Sequence, residues 1–286
     1  MQHAGIDIAP SRQFGMTADQ FDRIRKLVYD RSGIFFQDRK KYLLDSRVGQ
    51  RMRALGFLEF ESYFAGIAQR NEAARLLNAV TINETYFFRN PGQFEVLTHE
   101  ILPSIVAKKR EAGLNTINVW SAGCSTGDES YTLAILMEEH LRSRYPEFQF
   151  SITGTDINTE VLDRARRGVY GHYAIRNVPD HLMSKYFEQD GSNYILSPQI
   201  RNNVRFAMHN LMDPSGPAHP CSFDVVLCAN VLIYFDIPAR RRAAASIHRR
   251  LSGGGALLLG FSESLGGVSE EFAPVRYSRM VAYRKA

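Results

Sequence analysis

Two carboxylates, Asp128 and Glu129, directly follow a pair of glycines, Gly123 and Gly127, in the stretch SAGCSTGDES. Glycine lets a chain turn into conformations closed to other residues and lets a ligand approach the backbone. What such a turn serves depends on its neighbours. The lysine of a phosphate-binding loop is missing here, and so is the three-glycine spacing of a dinucleotide fingerprint. Two carboxylates beside a phosphate would repel it. They suit a cation, either an ammonium or a sulfonium.

Three further groups invite the same question: Asp156, Asn210-Leu211, and Asn230 with Tyr234. Each follows an apolar run that reads as a strand. The runs are INVWSA before the glycines, then FQFSITGTD, VRFAMHN and FDVVLCAN, with GALLLGF as a fifth. Helical spacing separates several of them: Leu133, Leu136 and Met137 lie on one face, Asn158 is placed to cap a helix, and Pro238 suits a first turn. This alternation predicts parallel strands joined by right-handed crossovers. In such a sheet, ligands sit beyond the carboxyl ends of the strands. Taken singly, a glycine turn is structural, an Asp closing a strand is a helix cap and an Asn is a turn former. Four such groups on one edge predict a ligand site. An acid at the second strand suits ribose hydroxyls. A nucleoside with a cationic amino-acid tail is S-adenosylmethionine, and that is the ligand these residues predict.

The rest of the chain must carry this edge. Residues 1–16 read as a loose tail. TADQ (Thr17 to Gln20) fits a capping box, with Phe21, Ile24, Leu27 and Val28 following at helical spacing. Asp38 is placed to cap a second helix ending before Gly56. A third runs through Tyr63, Phe64 and Ile67, and a fourth through Leu76, Leu77 and Val80. The expected organisation is an all-α domain over 17–80, a linker over 81–92 and an α/β domain over 93–286. A small antiparallel insert is expected near 171–203, and one closing strand over 275–284. The three cysteines, Cys124, Cys221 and Cys228, lack metal-ligand spacing, so no metal site and a reduced, cytoplasmic setting are expected. MQHAGIDIAP has no apolar signal-peptide core, and ALLLGF is too short to cross a bilayer, so no membrane insertion is expected. The net charge of +5 points to an acidic partner.

The chain resembles the CheR-type chemotaxis receptor methyltransferases. The stretches that carry the resemblance are TINETYFFRN, SAGCSTGDESYTLA, GTDINTEVLDRAR, FAMHNL, FDVVLCANVLIYFD and LSGGGALLLGFSESL, in family order over about residues 17–284. The resemblance implies a helical N-terminal domain, a Rossmann-like class I methyltransferase sheet and an inserted antiparallel β-subdomain. It implies methyl transfer from S-adenosylmethionine to glutamate side chains in the cytoplasmic domain of chemoreceptors, leaving S-adenosylhomocysteine. By the same resemblance, cofactor contacts fall to Asn83, Thr85, Arg89, Gly123, Glu129, Asp156, Asn210, Leu211 and Asn230, and the reaction centre to Arg89 and Tyr234. Ala229 departs from the family, which often has arginine there.

Within DRKKYLLDSRVGQRMR, Arg47 and Arg51 stand four apart on one helix face, and Arg53 adds to the basic charge of the same helix. We expect this basic face to steer docking of an acidic receptor helix. A regulatory partner at the N-terminal domain stays open. So do two other classes of function. One is an RNA methyltransferase, although NVLIYF lacks the Asn/Asp-Pro-Pro-aromatic motif of base amino-methylating enzymes and no aromatic-basic nucleic-acid module stands out, so no nucleic acid is the expectation. The other is a non-catalytic module that senses S-adenosylmethionine.

Overall fold

The computed structural model describes residues 14–67, 71–217 and 222–285. Most of the expected N-terminal tail and Cys221 lie outside them. The chain divides into two units. One takes in the described residues up to Asp30 together with Phe35–Val80, and the other holds Arg31–Ile34 and everything from Thr81 onward.

The first unit is helical. Thr17 Oγ1 accepts from the Gln20 N–H at 3.2 Å, and the Gln20 side chain accepts from the Thr17 N–H at 3.0 Å, which is a reciprocal capping box. The helix Ala18–Ser32 buries Phe21, Ile24 and Val28. Asp38 opens a single 3₁₀ turn, and the helix proper runs Lys41–Leu55. Gly56 ends it in the left-handed conformation (φ +75°), where a side chain would be strained. Helices Phe60–Gly66 and Glu72–Val80 complete the unit. Among the described residues of this unit, Glu72 is the one deeply buried carboxylate, its side chain 3% exposed. Arg51 meets it with two bonds, of 2.8 and 2.7 Å, and the Tyr63 hydroxyl donates a third at 3.1 Å. Burial beside this acid pushes the Tyr63 phenol far above its ordinary range.

The second unit is built on β1 (Thr116–Ala122), β2 (Gln149–Asp156), β3 (Val169–Gly171), β4 (Phe187–Asp190), β5 (Asn193–Leu196), β6 (Val204–Met208), β7 (Phe223–Cys228), β8 (Leu251–Leu259), β9 (Phe272–Arg276) and β10 (Val281–Lys285). Seven form one sheet in the order β6-β2-β1-β7-β8-β10-β9. The first five of that order are parallel, and β10 runs antiparallel to both its neighbours. β1 and β7 are continuous buried runs, as a sheet covered on both faces requires. The buried Asp224 in β7 is neutralised by Lys109 at 2.9 Å and by the Asn118 N–H at 2.9 Å. The order reverses between β1 and β7, the switch point at which such sheets open a crevice.

At the C-terminus the fold differs from the sequence expectation. The C-terminal segment is two strands, because Tyr277 donates its N–H to the Met280 carbonyl and turns the chain back. β9, carrying Pro274, is therefore an edge of the sheet. The helix from Pro91 to Glu111 is continuous but carries a π-helical turn at Leu97–Ile101, where one residue is absorbed without breaking the rod. The small antiparallel sheet has the order β3-β5-β4, with Gly191-Ser192 as its tight turn.

We expect Arg51→Ala to strand the Glu72 carboxylate and lower stability by about 3 kcal/mol, read as a fall in the denaturant midpoint of the full chain. Arg47→Ala, on an exposed side chain of the same helix, is expected to leave that midpoint unchanged.

Candidate active site

The glycine turn is tied to its neighbours at every residue. Gly123 has φ +76°, and a Cβ there would stand 2.5 Å from Val231. Its N–H and that of Cys124 both donate to the Thr155 carbonyl, at 2.8 and 2.9 Å. Gly127 (φ +88°) is pressed against Ala165 and starts the helix Asp128–Leu136. Ser125 is left-handed without being glycine (φ +50°), a strain of order 1 kcal/mol that persists only where neighbours hold it. Two bonds do so: its N–H donates to Asp156 Oδ2 at 2.9 Å, and its hydroxyl to the Asn83 carbonyl at 3.0 Å.

The two acids after the turn part company. Asp128 is fully buried. One oxygen accepts from the Thr126 hydroxyl at 2.6 Å, and the other has no protein donor. Burial pushes its carboxyl up to about 6. Glu129 keeps contact with solvent and accepts from the Ser121 hydroxyl at 2.7 Å. Burial again, with the negative charge of Glu263 added, pushes Glu129 up to about 7, while Ser121 and the Arg89 guanidinium act the other way. Of the pair expected to meet a cation together, only Glu129 keeps partial exposure, because the helix turn carries successive side chains to different sides.

Asp156 closes β2 with both oxygens in use, toward Ser125 and toward the Asn158 N–H at 2.8 Å. Its carboxyl lies above the usual range because it is buried. Asn158 caps the helix Thr159–Arg167 as expected, and its amide reaches Thr81 at 2.7 Å. Asn210 uses its side chain on backbone: Nδ2 donates to the Arg31 carbonyl of the same unit at 2.6 Å, and Oδ1 accepts from the Met212 N–H. Leu211 is buried beside it.

The segment expected as a linker is a wall of this unit. Phe87 is fully buried, edge-on to Tyr170 at 4.8 Å and to Phe187 at 5.2 Å, and its N–H bonds the Ala174 carbonyl. The Phe88 N–H donates to Thr132 at 3.1 Å. Asn83 and Thr85 are half-buried on this stretch. Arg89 donates to the Glu84 carbonyl at 2.7 Å, and its charge is felt at Glu129 and at Tyr234. Tyr234 is raised first by burial, with Arg89 opposing. Arg176 lies across Tyr86 at 3.4 Å and Tyr173 at 3.6 Å, sharing the Tyr86 ring with Arg89, and its charge is felt at Asp128.

Sequence reasoning missed Glu263. It follows β8, and its carboxylate accepts from four backbone N–H groups: Asn230 and Gly260 at 2.7 Å, Val231 at 2.9 Å and Ile233 at 3.3 Å. Applied to GALLLGF as to the other four strands, the strand-end rule reaches FSESL, and the signal was present there. Asn230, at φ +62°, is held left-handed by this contact. The structure thus links Asn83, Gly123, Asp156, Arg89, Glu129, Asn230 and Tyr234 along one sheet rim. Arg47, Arg51 and Arg53 belong to the first unit.

Cys124 and Cys228 are buried free thiols pushed well above the ordinary range by desolvation, so neither supplies a thiolate. Among the described residues no cluster of His, Cys, Asp and Glu could hold a metal, and no helix is long and apolar enough to cross a membrane. A separate cavity of about 230 Å³, lined by Lys108, Lys109, Asp224 and Ser252 to Gly255, opens at the opposite end of the sheet, away from this rim.

Comparison with known proteins matches residues 83–281 to the CheR methyltransferase SAM-binding domain and residues 19–81 to the CheR methyltransferase all-alpha domain. Chemotaxis protein methyltransferase 2 of Vibrio cholerae is 36% identical over 275 residues, 94% of each chain. The chemotaxis protein methyltransferase of Borreliella burgdorferi is 33% identical, covering 92% of this chain and 95% of its own. Chemotaxis protein methyltransferase 1 of Pseudomonas aeruginosa is 31% identical, covering 92% and 97%.

The protonation of Glu129 yields a stability prediction. In the unfolded chain it ionises around 4.5, and in the folded protein around 7. Its burial costs nothing below the first value, and the cost is complete above the second. Glu129→Gln, which still accepts from Ser121, is therefore expected to raise the melting temperature by a few degrees near pH 8 and to change it little around pH 5. Thermal scans at the two pH values check this, and an equal shift at both would remove the titration from Glu129.

Proposed function

The chain belongs to the CheR methyltransferase family, S-adenosylmethionine-dependent chemotaxis protein methyltransferases, and we propose that its substrates are glutamate side chains in the cytoplasmic domain of chemoreceptors, left as methyl esters. The observation that carries this reading is Glu129: a largely buried, partly exposed carboxylate beside the switch point, with a single hydroxyl donor in Ser121. It has capacity for an ammonium. Asp156, with lone pairs left beyond its two backbone bonds, would take ribose hydroxyls one strand away. The left-handed Gly123 and Gly127 turn main chain rather than side chain toward the ligand. Leu211 and the Asn210 backbone would flank the adenine, and Asn83 and Thr85 would close the rim. This donor set fits S-adenosylmethionine, whose sulfonium supplies an electrophilic methyl group when bound.

The chain's own residues then have little proton chemistry to perform. A glutamate acceptor ionises around 4.3 and is already an anion near neutrality. No general base is needed, in keeping with the neutral, buried thiols of Cys124 and Cys228. What remains is orientation and exclusion of water. Arg89 is the cation placed to hold the acceptor carboxylate, and Asn230 and Tyr234 line its approach.

On the helical unit, Arg47 and Arg53 are exposed, while Arg51 is committed to Glu72. Attraction of an acidic receptor helix therefore rests on Arg47 and Arg53, supported by the net charge of +5.

Incubation with radiolabelled S-adenosylmethionine and receptor membranes is expected to leave label on the receptor that base removes, as an ester requires. Label on added RNA, or binding without transfer, would refute the assignment. Arg89→Ala is expected to cut turnover by about tenfold or more with the fold intact. Near-normal turnover would take Arg89 out of the site. Added salt, or the Arg47→Ala/Arg53→Ala pair, is expected to raise KM for receptor while leaving kcat unchanged. Flat salt dependence would exclude this docking face.

A further inference from the structure

We propose that Glu263 is a positioning residue of the reaction: by binding the main chain after β7 it sets where Asn230 and Tyr234 stand toward the acceptor. The inference rests on the reading of these two residues given above. Four N–H groups converge on one carboxylate, three from the Asn230–Ile233 turn and one from Gly260. Hydrogen bonds to a charged acceptor are about twice as strong as neutral ones. The carboxylate therefore cross-links the carboxyl ends of β7 and β8, the two strands on the acceptor side of the switch point.

The surroundings are shaped for this contact. A Cβ on Gly260 would stand 2.7 Å from Glu263 Oε2 and 3.0 Å from the Asn230 nitrogen, so only glycine lets the three groups meet. Asn230 is left-handed, a conformation asparagine tolerates better than most residues, and Val231 after it returns to a right-handed conformation. Val231 packs against Gly123, where a Cβ would be 2.5 Å away, so the turn is seated on the cofactor loop. At the other end Arg240 Nε donates to the Leu232 and Phe235 carbonyls, at 2.9 and 3.1 Å. The Asn230–Phe235 turn thus has an acid on its donors and a guanidinium on its acceptors, with Tyr234 between. Among the described residues Glu263 has no ion pair, and its charge reaches Glu129 and Tyr234. Its hydrogen bonds go to the acceptor-side turn and to Gly260, and none goes to Gly123–Gly127 or to Asp156. Direct contact is thus with the positioning turn, and the ligand-side residues feel Glu263 only through its charge at Glu129 and through Val231 against Gly123.

Glu263→Gln keeps the size but turns an amide NH₂ toward backbone donors. The measurements are S-adenosylhomocysteine affinity by calorimetry, methyl transfer to receptor membranes, and the amide proton shifts of Asn230, Val231, Ile233 and Gly260. We expect kcat to fall about tenfold to a hundredfold, the effect of a small misplacement near a reaction centre, with affinity within about threefold of wild type and the four amides moving upfield. Gly260→Ala displaces the carboxylate without removing its charge and is expected to show the same split, which decides the matter if the glutamine variant does not fold. Turnover within about twofold of wild type, or an affinity loss as large as the loss of kcat, would overturn the inference. A wild-type protein that transfers no methyl fails the functional reading itself; an active wild type with an unimpaired variant fails this inference alone.

Discussion

The rim of this sheet depends on one buried carboxylate that accepts main-chain hydrogen bonds from two separate turns. Asp156 bonds the Ser125 N–H on one side and the Asn158 N–H on the other, and the adjoining Thr155 carbonyl takes two more donors from Gly123 and Cys124. A charge placed there would be costly without such partners. With them it fixes a left-handed serine, starts a helix and sets the distance between the first two strand ends. Glu263 repeats the solution on the far side of the switch point, with four backbone donors. Two acids are thus satisfied chiefly by backbone. Glu129, between them, is left with one hydroxyl and partial exposure.

The aromatic wall follows from the same need. A turn held by hydrogen bonds keeps its geometry only if water is kept from competing for them. Phe87 and Phe88 close the side of the loop, and their N–H groups are taken by Ala174 and Thr132. The 81–92 stretch is therefore anchored by burial of side chains and by pairing of its backbone. Arg89 then projects from a fixed base, its guanidinium bonded to the Glu84 carbonyl.

Much of this was legible in the sequence, for definable reasons. Apolar runs such as VVLC and ALLL report a covered parallel sheet, and Asn158, Pro238 and the Thr17–Gln20 box report helix starts through local hydrogen bonding. The strand-end rule reached Asp156 and Asn230 because an acid or amide after an apolar run is conspicuous. What was not legible depends on partners distant in sequence. Nothing local separates Asp128 from Glu129, yet one is sealed beneath Thr126 and the other keeps partial exposure. Arg51 reads as one more basic surface residue until Glu72, 21 positions on, is seen opposite it. Tyr277–Met280 carries no glycine or proline, so the reversal between β9 and β10 left no turn signal. Phe87 and Phe88 stand among polar residues in the sequence yet are core, while Tyr86 beside them stays partly exposed.

The proline in β9 bears on how the molecule meets its own copies. An outermost strand offers unpaired peptide groups that another chain could extend, a common route to aggregation. Pro274 has no N–H to give, and its ring crowds an arriving strand. At this border the sheet is closed to growth by recruitment, so self-association through a continuous intermolecular sheet is disfavoured at the C-terminal hairpin.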